Sequence, residues 1–260
     1  MIATGLKGKV VVVTGGAAGI GRATALRFAE EEARVAVWDV SEDGADALVR
    51  ELGEAGGKGY FAKVDVADSL AVDAAVADLV ARWGGVDVLV NNAGILRDSQ
   101  LVKWKEGEVA AIMTDEAFDA VIGVNFKGVF NCGRAVVPHM IRAGGGVILN
   151  ASSVVGLYGN FGQSNYAATK AAVINMTRTW SRELGRYKIR VNAVAPGFVA
   201  TEILQSMPQK VLDNMVAHTP IGRIGDPGDL AEAYVWLASD AASFVHGTVL
   251  SVDGGIVVGT

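Results

Sequence analysis

Residues 14–21 read TGGAAGIG, and this glycine-rich stretch joins a β-branched run at 10–14 to a helical pattern at 20–32. Gly15 suits a tight turn after a strand, Gly19 lets the backbone approach a pyrophosphate, and Gly21 lets the helix lie close to the sheet. The N-terminus of such a helix offers unpaired N–H groups and the positive end of its dipole to phosphates. The stretch therefore predicts a strand–turn–helix unit that binds the phosphates of a dinucleotide.

The rest of the chain repeats this alternation of short apolar runs and helical patterns. Further strand-like runs lie at residues 35–39, 60–64, 86–91, 147–151, 189–194 and 248–252, and helical patterns lie at residues 43–54, 69–83, 116–142, 165–185 and 227–237. We therefore predict an α/β fold of the Rossmann type, a doubly wound, parallel, seven-stranded sheet with helices on both faces. No linker or repeat divides the sequence, which favours one domain over residues 1–260, with a cofactor half at about 1–150 and a catalytic half at about 151–260.

Composition narrows the classes of partner. The net charge of −5 argues against nucleic acid or an anionic membrane surface, because both need a basic face. Cys132 is the only cysteine, which excludes an intrachain disulfide and favours a reducing compartment, and without an adjacent base it is expected to be a buried, inert thiol. The three histidines stand apart, so no metal is expected. Neither a signal peptide nor an apolar run of about 18 residues is visible, so we expect a cytoplasmic protein that does not enter membranes.

Asp39 indicates which dinucleotide is bound. It ends the second strand-like run, 24 residues after Gly15 (39 − 15), near the spacing expected for the carboxylate that binds the adenosine ribose. A carboxylate there accepts hydrogen bonds from the ribose hydroxyls and repels a 2′-phosphate. No Arg or Lys stands at residues 16–18, 40 or 41 to hold that phosphate. The sequence therefore predicts NAD(H) rather than NADP(H) as the cofactor.

A phenol and an ammonium group follow at a spacing that suits acid–base chemistry. Tyr166 and Lys170, in the sequence YAATK, are four residues apart and so lie on one face of a helix. Lowering a tyrosine pKa from about 10 to about 7 requires roughly 4 kcal/mol of preference for phenolate. One cation about 4 Å away supplies roughly that much at an effective dielectric constant near 20. We therefore predict that Lys170 lowers the pKa of Tyr166.

With these residues quoted, the chain resembles the short-chain dehydrogenase/reductase family over essentially its whole length. The matching motifs, in the family's order, are TGGAAGIG at 14–21, NNAG at 91–94, Asn125, Ser153, YAATK at 166–170, and Pro196-Gly197 followed by Thr201. Ser153 precedes Tyr166 by 13 residues (166 − 153), the offset that the family uses. The resemblance implies an enzyme that transfers hydride between NAD(H) and a small-molecule secondary alcohol or ketone.

The resemblance also implies roles for the matching residues. Ser153 would stabilise developing charge on the substrate oxygen, Tyr166 would donate or abstract the proton, and Lys170 would also hold the nicotinamide ribose. Asn125 would interrupt the long helix and hold a water that links Lys170 to solvent. Thr201 would bind the nicotinamide carboxamide. The residues expected at the dinucleotide are Gly15, Ala18, Gly19, Ile20, Gly21, Asp39, Asp65, Val66, Asn92, Gly94, Tyr166, Lys170, Pro196, Gly197, Val199 and Thr201.

Several of these expectations are more specific. Asp65 is expected to contact the adenine, with Val66 packed against the ring. Asn92 is expected beside the adenine ribose, while Asn91 supports the end of its strand. Ser152 is assigned a structural role, because strand alternation points it away from Ser153.

The substrate is less well defined. Residues 159–166, GNFGQSNY, resemble the 3-oxoacyl-[acyl-carrier-protein] reductases. Those enzymes usually take NADPH and carry basic residues before the catalytic strand, whereas this chain has Asp39 and, at 142–146, RAGGG. Our main hypothesis is an NAD-linked enzyme acting on a 3-hydroxyacyl or 3-oxoacyl thioester or another apolar secondary alcohol. The alternatives are an NADPH-type 3-oxoacyl-carrier-protein reductase of fatty acid synthesis and a non-catalytic dinucleotide-binding scaffold, against which the intact set of four catalytic residues argues.

The remaining expectations concern residues 201–219, residues 101–114 and the oligomeric state. Residues 201–219 form either a lid over the substrate or a segment packed on the body, with apolar side chains at Ile203, Leu204, Met207, Val211, Leu212 and Met215. Residues 101–114, which include Trp104 and KEGE, look several residues longer than the family norm and either edge the substrate entrance or form a surface insertion. Family members usually form homotetramers through the two long helices and the C-terminal strand and helix, and the resemblance implies the same here.

Overall fold

The computed structural model describes residues 4–201 and 208–256, and a parallel sheet of seven strands forms its centre. These strands are β1 (Val10–Thr14), β2 (Arg34–Asp39), β3 (Lys58–Lys63), β4 (Val88–Asn91), β7 (Gly146–Ala151), β8 (Ile189–Pro196) and β9 (Val249–Val252). Their order is β3-β2-β1-β4-β7-β8-β9. The order reverses between β1 and β4, which is the switch point where open α/β sheets bind ligands beyond the carboxyl ends of the strands. The predicted Rossmann-type α/β fold is confirmed.

Helices cover both faces of the sheet. They are α1 (Gly19–Glu30), α2 (Ala45–Glu54), α3 (Ser69–Trp83), α4 (Asp115–Ile122), α5 (Gly128–Ala143), α6 (Val154–Tyr158), α7 (Ser164–Leu184), α8 (Gln209–Ala217) and α9 (Pro227–Ala238). Alternate residues of β1 enter separate cores, because successive strand side chains point to opposite faces. Val11 and Val13 pack with α1, α2 and α9, whereas Val10 and Val12 pack with α3 and α5. This two-sided burial explains the continuous apolar runs in the sequence.

A two-stranded antiparallel hairpin stands apart from the main sheet. It consists of β5 (Val102–Lys105) and β6 (Glu108–Ile112). Its turn residues, Glu106 and Gly107, both have positive φ angles (53° and 89°), as a type I′ turn requires. The segment 101–114, which was expected either to edge the substrate entrance or to form a surface insertion, thus contains an ordered hairpin that was not predicted.

The helical stretch before β7 is interrupted as expected. Five residues, Gly123–Lys127, form a π-helical turn between α4 and α5, with Asn125 at its centre. The short helices α6 and α8 were not predicted. Residues 203, 204 and 207 of the expected lid lie outside the described residues. In the part of the chain that is described, no helix is long and apolar enough to cross a membrane.

Candidate active site

The turn after β1 can form only with glycine at two positions. The N–H of Gly15 donates to the carbonyl oxygen of Trp38 (2.7 Å), which ties the turn to β2. A Cβ at Gly15 would lie 2.8 Å from the Cα of Ala93, and a Cβ at Gly21 would overlap the carbonyl oxygen of Gly15. The backbone therefore closes tightly around this turn, as the sequence predicts.

Helix α1 begins at this turn with free N–H groups. Its N-cap residue is Ala18, which provides no side-chain cap, and its first turn carries no acidic residue. Gly19 has a positive φ angle (54°), and Ile20 packs its side chain against the core. A helix N-terminus without a side-chain cap suits an anionic phosphate.

Thr14 and Asn92 hold the turn against β4. The Thr14 hydroxyl oxygen accepts hydrogen bonds from the backbone N–H groups of Asn92 and Ala93 (3.0 Å each). The Asn92 amide nitrogen donates to the carbonyl oxygens of Thr14 and Gly15 (3.1 Å each). The Asn92 side chain is therefore committed to the turn backbone. Thr14 was missed by the sequence analysis, since a threonine that ends a strand gives no sign of a partner 78 residues away.

Asn91 and Ser152 have the structural roles expected for them. The Asn91 amide donates to the side-chain oxygen of Asn150 (2.9 Å), which joins the ends of β4 and β7. The Ser152 hydroxyl donates to the backbone carbonyl oxygen of Lys170 (3.0 Å), which ties the end of β7 to α7. These two contacts hold β4, β7 and α7 together next to the site.

Asp39 lies beside the glycine-rich turn. One carboxylate oxygen accepts the N–H of Ala17 (3.0 Å), and the other accepts the N–H of Ser41 (3.1 Å). The half-buried carboxylate thus stands between the turn and the end of β2, and its contact with an adenosine ribose stays a prediction.

Asp65 and Val66, the two residues expected at the adenine, differ in their exposure to solvent. Asp65 is exposed, and its carboxylate accepts the N–H of Ala67 (2.9 Å). Val66 is buried against Gly128, whose Cβ, if present, would lie 2.6 Å from a Val66 methyl group. The Val66 side chain therefore belongs to the core, and contact with an adenine ring would fall to its backbone.

Ser153 and Tyr166 meet at the carboxyl end of β7. Ser153 is the N-cap of α6, and its hydroxyl oxygen accepts the N–H of Val155 (3.2 Å). Tyr166 lies in the first turn of α7. Burial raises the pKa of Tyr166, Ser153 opposes this by hydrogen bonding to the phenol, and the negative charge of Asp98 adds to the rise.

Lys170 is buried one helical turn further along α7. Its ammonium group donates to the carbonyl oxygen of Ala151 (2.7 Å) and lies 5.5 Å from the centre of the Tyr166 ring. Burial lowers the pKa of Lys170 to about 8. The net direction of the pKa shift at Tyr166 in the chain by itself therefore differs from the expected lowering, because burial outweighs any effect of Lys170 there. Local spacing gave the correct helix face but not the burial, which acts on both groups and opposes charge on each.

Asn125 lies beside Lys170 but does not reach it with its side chain. Its amide oxygen accepts the N–H of Ile95 (2.8 Å), and its amide nitrogen donates to the Ile95 carbonyl oxygen (3.0 Å). Gly94 separates the two residues, because a Cβ there would lie 3.5 Å from the Asn125 amide oxygen and 3.7 Å from the Lys170 nitrogen. The Asn125 side chain thus holds the segment after β4. The water expected at this residue would have to bind main-chain groups of the π-helical turn.

The segment after β8 returns to the glycine-rich turn. Pro196 ends β8, and the N–H of Gly197 donates to the Val252 carbonyl oxygen (3.1 Å). Val199 is buried and pairs with Gly225. A Thr201 methyl carbon lies 3.4 Å from the place a Cβ would occupy at Gly19. The two ends of the expected dinucleotide site therefore lie close together.

Asn165 is a site residue that the sequence analysis missed. It is fully buried, and its amide nitrogen donates to the carbonyl oxygens of Arg97 (3.0 Å) and Ala117 (3.4 Å). Its amide oxygen accepts the N–H of Tyr166 (2.8 Å). Asn165 thereby holds the start of α7 to both segments that flank the hairpin.

Two further findings concern reactive groups. Cys132 is completely buried, which confirms the expected burial, and burial raises its pKa to about 12, as an unreactive thiol requires. Among residues 4–201 and 208–256, no group of three or more His, Cys, Asp or Glu side chains could hold a metal ion.

Comparison with known proteins gives matches over nearly the whole chain. A family model described as "Enoyl-(Acyl carrier protein) reductase" matches residues 15–257. Among curated relatives, the 3-oxoacyl-[acyl-carrier-protein] reductase FabG of Thermotoga maritima is 48% identical over 253 residues, which cover 97% of this chain and 99% of that protein. The enzymes of the same name from Staphylococcus aureus (strain Mu50) and Chlamydia trachomatis are 42% and 40% identical over 249 and 252 residues, covering 95% and 96% of this chain and 98% of each relative.

Solved structures include a close match in shape. A 7α-hydroxysteroid dehydrogenase complexed with NADH and 7-oxo glycochenodeoxycholic acid superimposes with a TM-score of 0.90 at 35% sequence identity. The match covers 97% of this chain and 95% of that one.

Proposed function

The chain belongs to the short-chain dehydrogenase/reductase family of oxidoreductases, and we propose that it reduces a 3-oxoacyl thioester to the 3-hydroxyacyl thioester with NADH. The observation that carries this proposal is the meeting of Ser153, Tyr166 and Lys170 at the carboxyl end of β7, next to an uncapped helix N-terminus. The curated relatives named as 3-oxoacyl-[acyl-carrier-protein] reductases support the substrate class.

The residues at the turn fit a nicotinamide dinucleotide. The close backbone at Gly15 and Gly21 and the free N–H groups of α1 suit its pyrophosphate, and Asp39 suits the adenosine ribose. Lys170 and Thr201 would hold the nicotinamide end. When bound, the nicotinamide supplies the hydride.

The chain's own residues then handle the substrate oxygen. In this mechanism the hydroxyls of Ser153 and Tyr166 donate hydrogen bonds to the 3-oxo oxygen and stabilise the negative charge that develops there. As the carbon receives hydride, Tyr166 gives its proton to that oxygen, which forms the alcohol and leaves a phenolate. Lys170 would stabilise the phenolate, and a water bound to the backbone at Asn125 would link Lys170 to solvent, which resupplies the proton.

The protonation state of Tyr166 at neutral pH suits the reduction that we propose. Burial raises the pKa of Tyr166, so the phenol keeps its proton at neutral pH and is ready to donate it. The reverse reaction needs a phenolate before hydride leaves the alcohol. The positive charge of an oxidised nicotinamide would favour that phenolate, so oxidation is expected to require a higher pH than reduction.

Cofactor choice is tested at Asp39. A carboxylate at the end of β2 would repel a 2′-phosphate on the adenosine ribose, and the structural relative that contains NADH supports the same choice. Replacing Asp39 by Ala should lower the ratio of kcat/KM for NADH to kcat/KM for NADPH by at least about tenfold. Equal use of both dinucleotides by the unmodified protein would refute NADH as the cofactor.

The second candidate is an NADPH-dependent reductase that takes its substrate from acyl-carrier protein, and the names of the curated relatives favour it. Initial rates with matched coenzyme A and carrier-protein thioesters, each with NADH and NADPH, separate the two. Turnover of 3-oxoacyl thioesters with NADH supports our proposal. Turnover confined to NADPH and carrier-protein thioesters supports the second candidate, and no turnover of any thioester overturns both.

We also propose that each chain forms a single domain and that four chains assemble into a cytoplasmic homotetramer. Exposed apolar side chains on the elements expected to form its interfaces support this, namely Phe130 on α5, Trp236 on α9, and Phe244 shortly before β9. Sedimentation should give four times the 27.0 kDa mass of the chain. A monomer at every concentration would contradict the tetramer.

A further inference from the structure

The hairpin Val102–Ile112 is amphipathic. Because residues paired across antiparallel strands share a face, Val102 with Ile112 and Trp104 with Val109 form one apolar face. The irregular register between residues 103 and 104 keeps Val109 and Ile112 on the same side, although they are three residues apart. Lys103 pairs with Ala111 and Lys105 with Glu108 on the other face.

The apolar face is uncovered in a single chain. Its four large side chains are between 45% and 66% exposed, and Trp104 is the most exposed of them. Within the described residues, β5 and β6 pack extensively only against each other. Together with Phe161, which is 80% exposed near the base of the hairpin, these side chains present on the order of 500 Å² of apolar surface, near the upper end for a monomeric soluble protein.

The base of the hairpin is fixed, so the apolar face is presented by an anchored element. The N–H of Ser99 donates to the Gly162 carbonyl oxygen (2.9 Å), and the Gln163 amide donates to the Asp98 carboxylate (2.8 Å). On the inner side, Asn165 holds the backbone on both flanks of the hairpin to the start of α7.

A lasting partner suits this apolar face better than a transient one. A two-stranded hairpin alone in water is marginally stable, and packing on its apolar face is what stabilises it. A substrate that leaves after each turnover cannot supply that packing. A protein partner can, and the partner present wherever this chain is present is a second copy of it.

The charges of the hairpin suit contact between two copies. Lys103 and Lys105 lie on β5, and Glu106 and Glu108 lie at the turn and on β6, so the hairpin carries no net charge. Because both lysines point away from the apolar face, a two-fold arrangement can bring the apolar faces of two copies together and leave these charges in solvent. The two lysines also disfavour strand-to-strand pairing along β5, which leaves the apolar face as the contact surface.

We propose that the apolar face of the hairpin Val102–Ile112 binds a second copy of this chain, beside the start of the helix that carries Tyr166. Two copies in contact would bury roughly 1,000 Å² in total, the lower limit for a specific interface. This contact is additional to the helix-mediated tetramer and does not depend on the proposed substrate or cofactor.

The test compares two double variants by sedimentation velocity over a wide range of protein concentration. Trp104→Ser with Val109→Ser makes the apolar face polar, and Lys103→Ser with Ala111→Ser is the matched control on the opposite face. The apolar-face variant should raise the dissociation constant of self-association by at least about a hundredfold relative to the control, since buried tryptophans dominate such interfaces.

Each outcome decides the proposal. A shift to smaller species in the apolar-face variant alone supports it. Equal masses for both variants and the unmodified protein at every concentration, or a monomeric unmodified protein, overturn it. If the double variant does not fold, Trp104→Ser alone is compared with Lys103→Ser in the same way.

Discussion

Replacing Lys170 by Met should make the protein more stable near neutral pH while removing its activity. Lys170 is buried, and burial lowers its pKa from 10.5 to about 8. At about 1.4 kcal/mol per pKa unit, keeping this ammonium charged in the fold costs about 3 kcal/mol below pH 8. Methionine removes that cost but leaves the Ala151 carbonyl oxygen without its donor, which costs about 1–2 kcal/mol. The net gain in the free energy of unfolding near pH 7 is therefore about 1–2 kcal/mol.

The sign of the pH dependence follows from proton binding. Between pH 8 and 10.5 the unfolded chain keeps a proton on Lys170 that the folded chain releases, so the stability of the unmodified protein rises with pH in this window. The advantage of Lys170→Met should shrink by about 3 kcal/mol from pH 7 to above pH 10.5 and change sign. Urea unfolding of both proteins at several pH values measures this, and Lys58→Met, at an exposed lysine, gives the baseline. A stability difference that does not vary with pH would refute the assignment of the burial cost to Lys170.

Three further predictions concern the turn, the start of α7 and the thiol. Gly21→Ala should weaken NADH binding at least about tenfold in a fluorescence titration, because the new Cβ overlaps the Gly15 carbonyl oxygen. The control is Gly53→Ala in α2, where the new Cβ meets no atom and should stabilise the fold by about 0.5–1 kcal/mol. Equal NADH affinity in both variants would contradict the tight turn. Asn165→Ala should lower kcat at least about tenfold with little change in KM, because Asn165 holds the N–H of Tyr166. Asn160→Ala, at an exposed asparagine, should leave kcat unchanged. An unchanged kcat in Asn165→Ala would argue against a positioning role for Asn165. Iodoacetamide at pH 8 should leave Cys132 unlabelled in the fold and label it once urea unfolds the chain; rapid labelling of the native protein would be inconsistent with its burial.

Helices and strands whose ends are specified by neighbouring residues could be predicted from the sequence. Helix α3 begins and ends at the predicted residues, 69 and 83, because both ends are specified nearby. The Asp68 carboxylate accepts the N–H groups of Leu70 and Ala71 at the start, and Gly84 ends the helix with a positive φ angle. The first strand and the glycine-rich turn have the same local character.

The hairpin Val102–Ile112 also left a signal, which the sequence analysis did not use. Val102 and Trp104 alternate with lysines, and Glu106-Gly107 then supplies the two positive φ angles of a type I′ turn. Because the strands are short and separate from the main sheet, they did not fit the alternation of strands and helices that decided the fold.

Contacts between distant segments could not be predicted. Thr14 and Asn165 act on residues far away in the sequence, so no spacing reveals their partners. The pKa of Tyr166 was misjudged for a related reason. Its distance from Lys170 along the helix is local, whereas the burial that raises its pKa comes from the packing of the whole site.

The turnover of Tyr166→Phe tests the central claim most directly, that the Tyr166 phenol donates the proton. The variant keeps the ring in its packing and removes only the hydroxyl, and Tyr158→Phe, at an exposed phenol on α6, is the matched control. The account predicts that Tyr166→Phe binds NADH within about twofold of the unmodified protein and loses at least about a hundredfold in kcat, while Tyr158→Phe loses neither. Turnover by Tyr166→Phe within a fewfold of the control would contradict it.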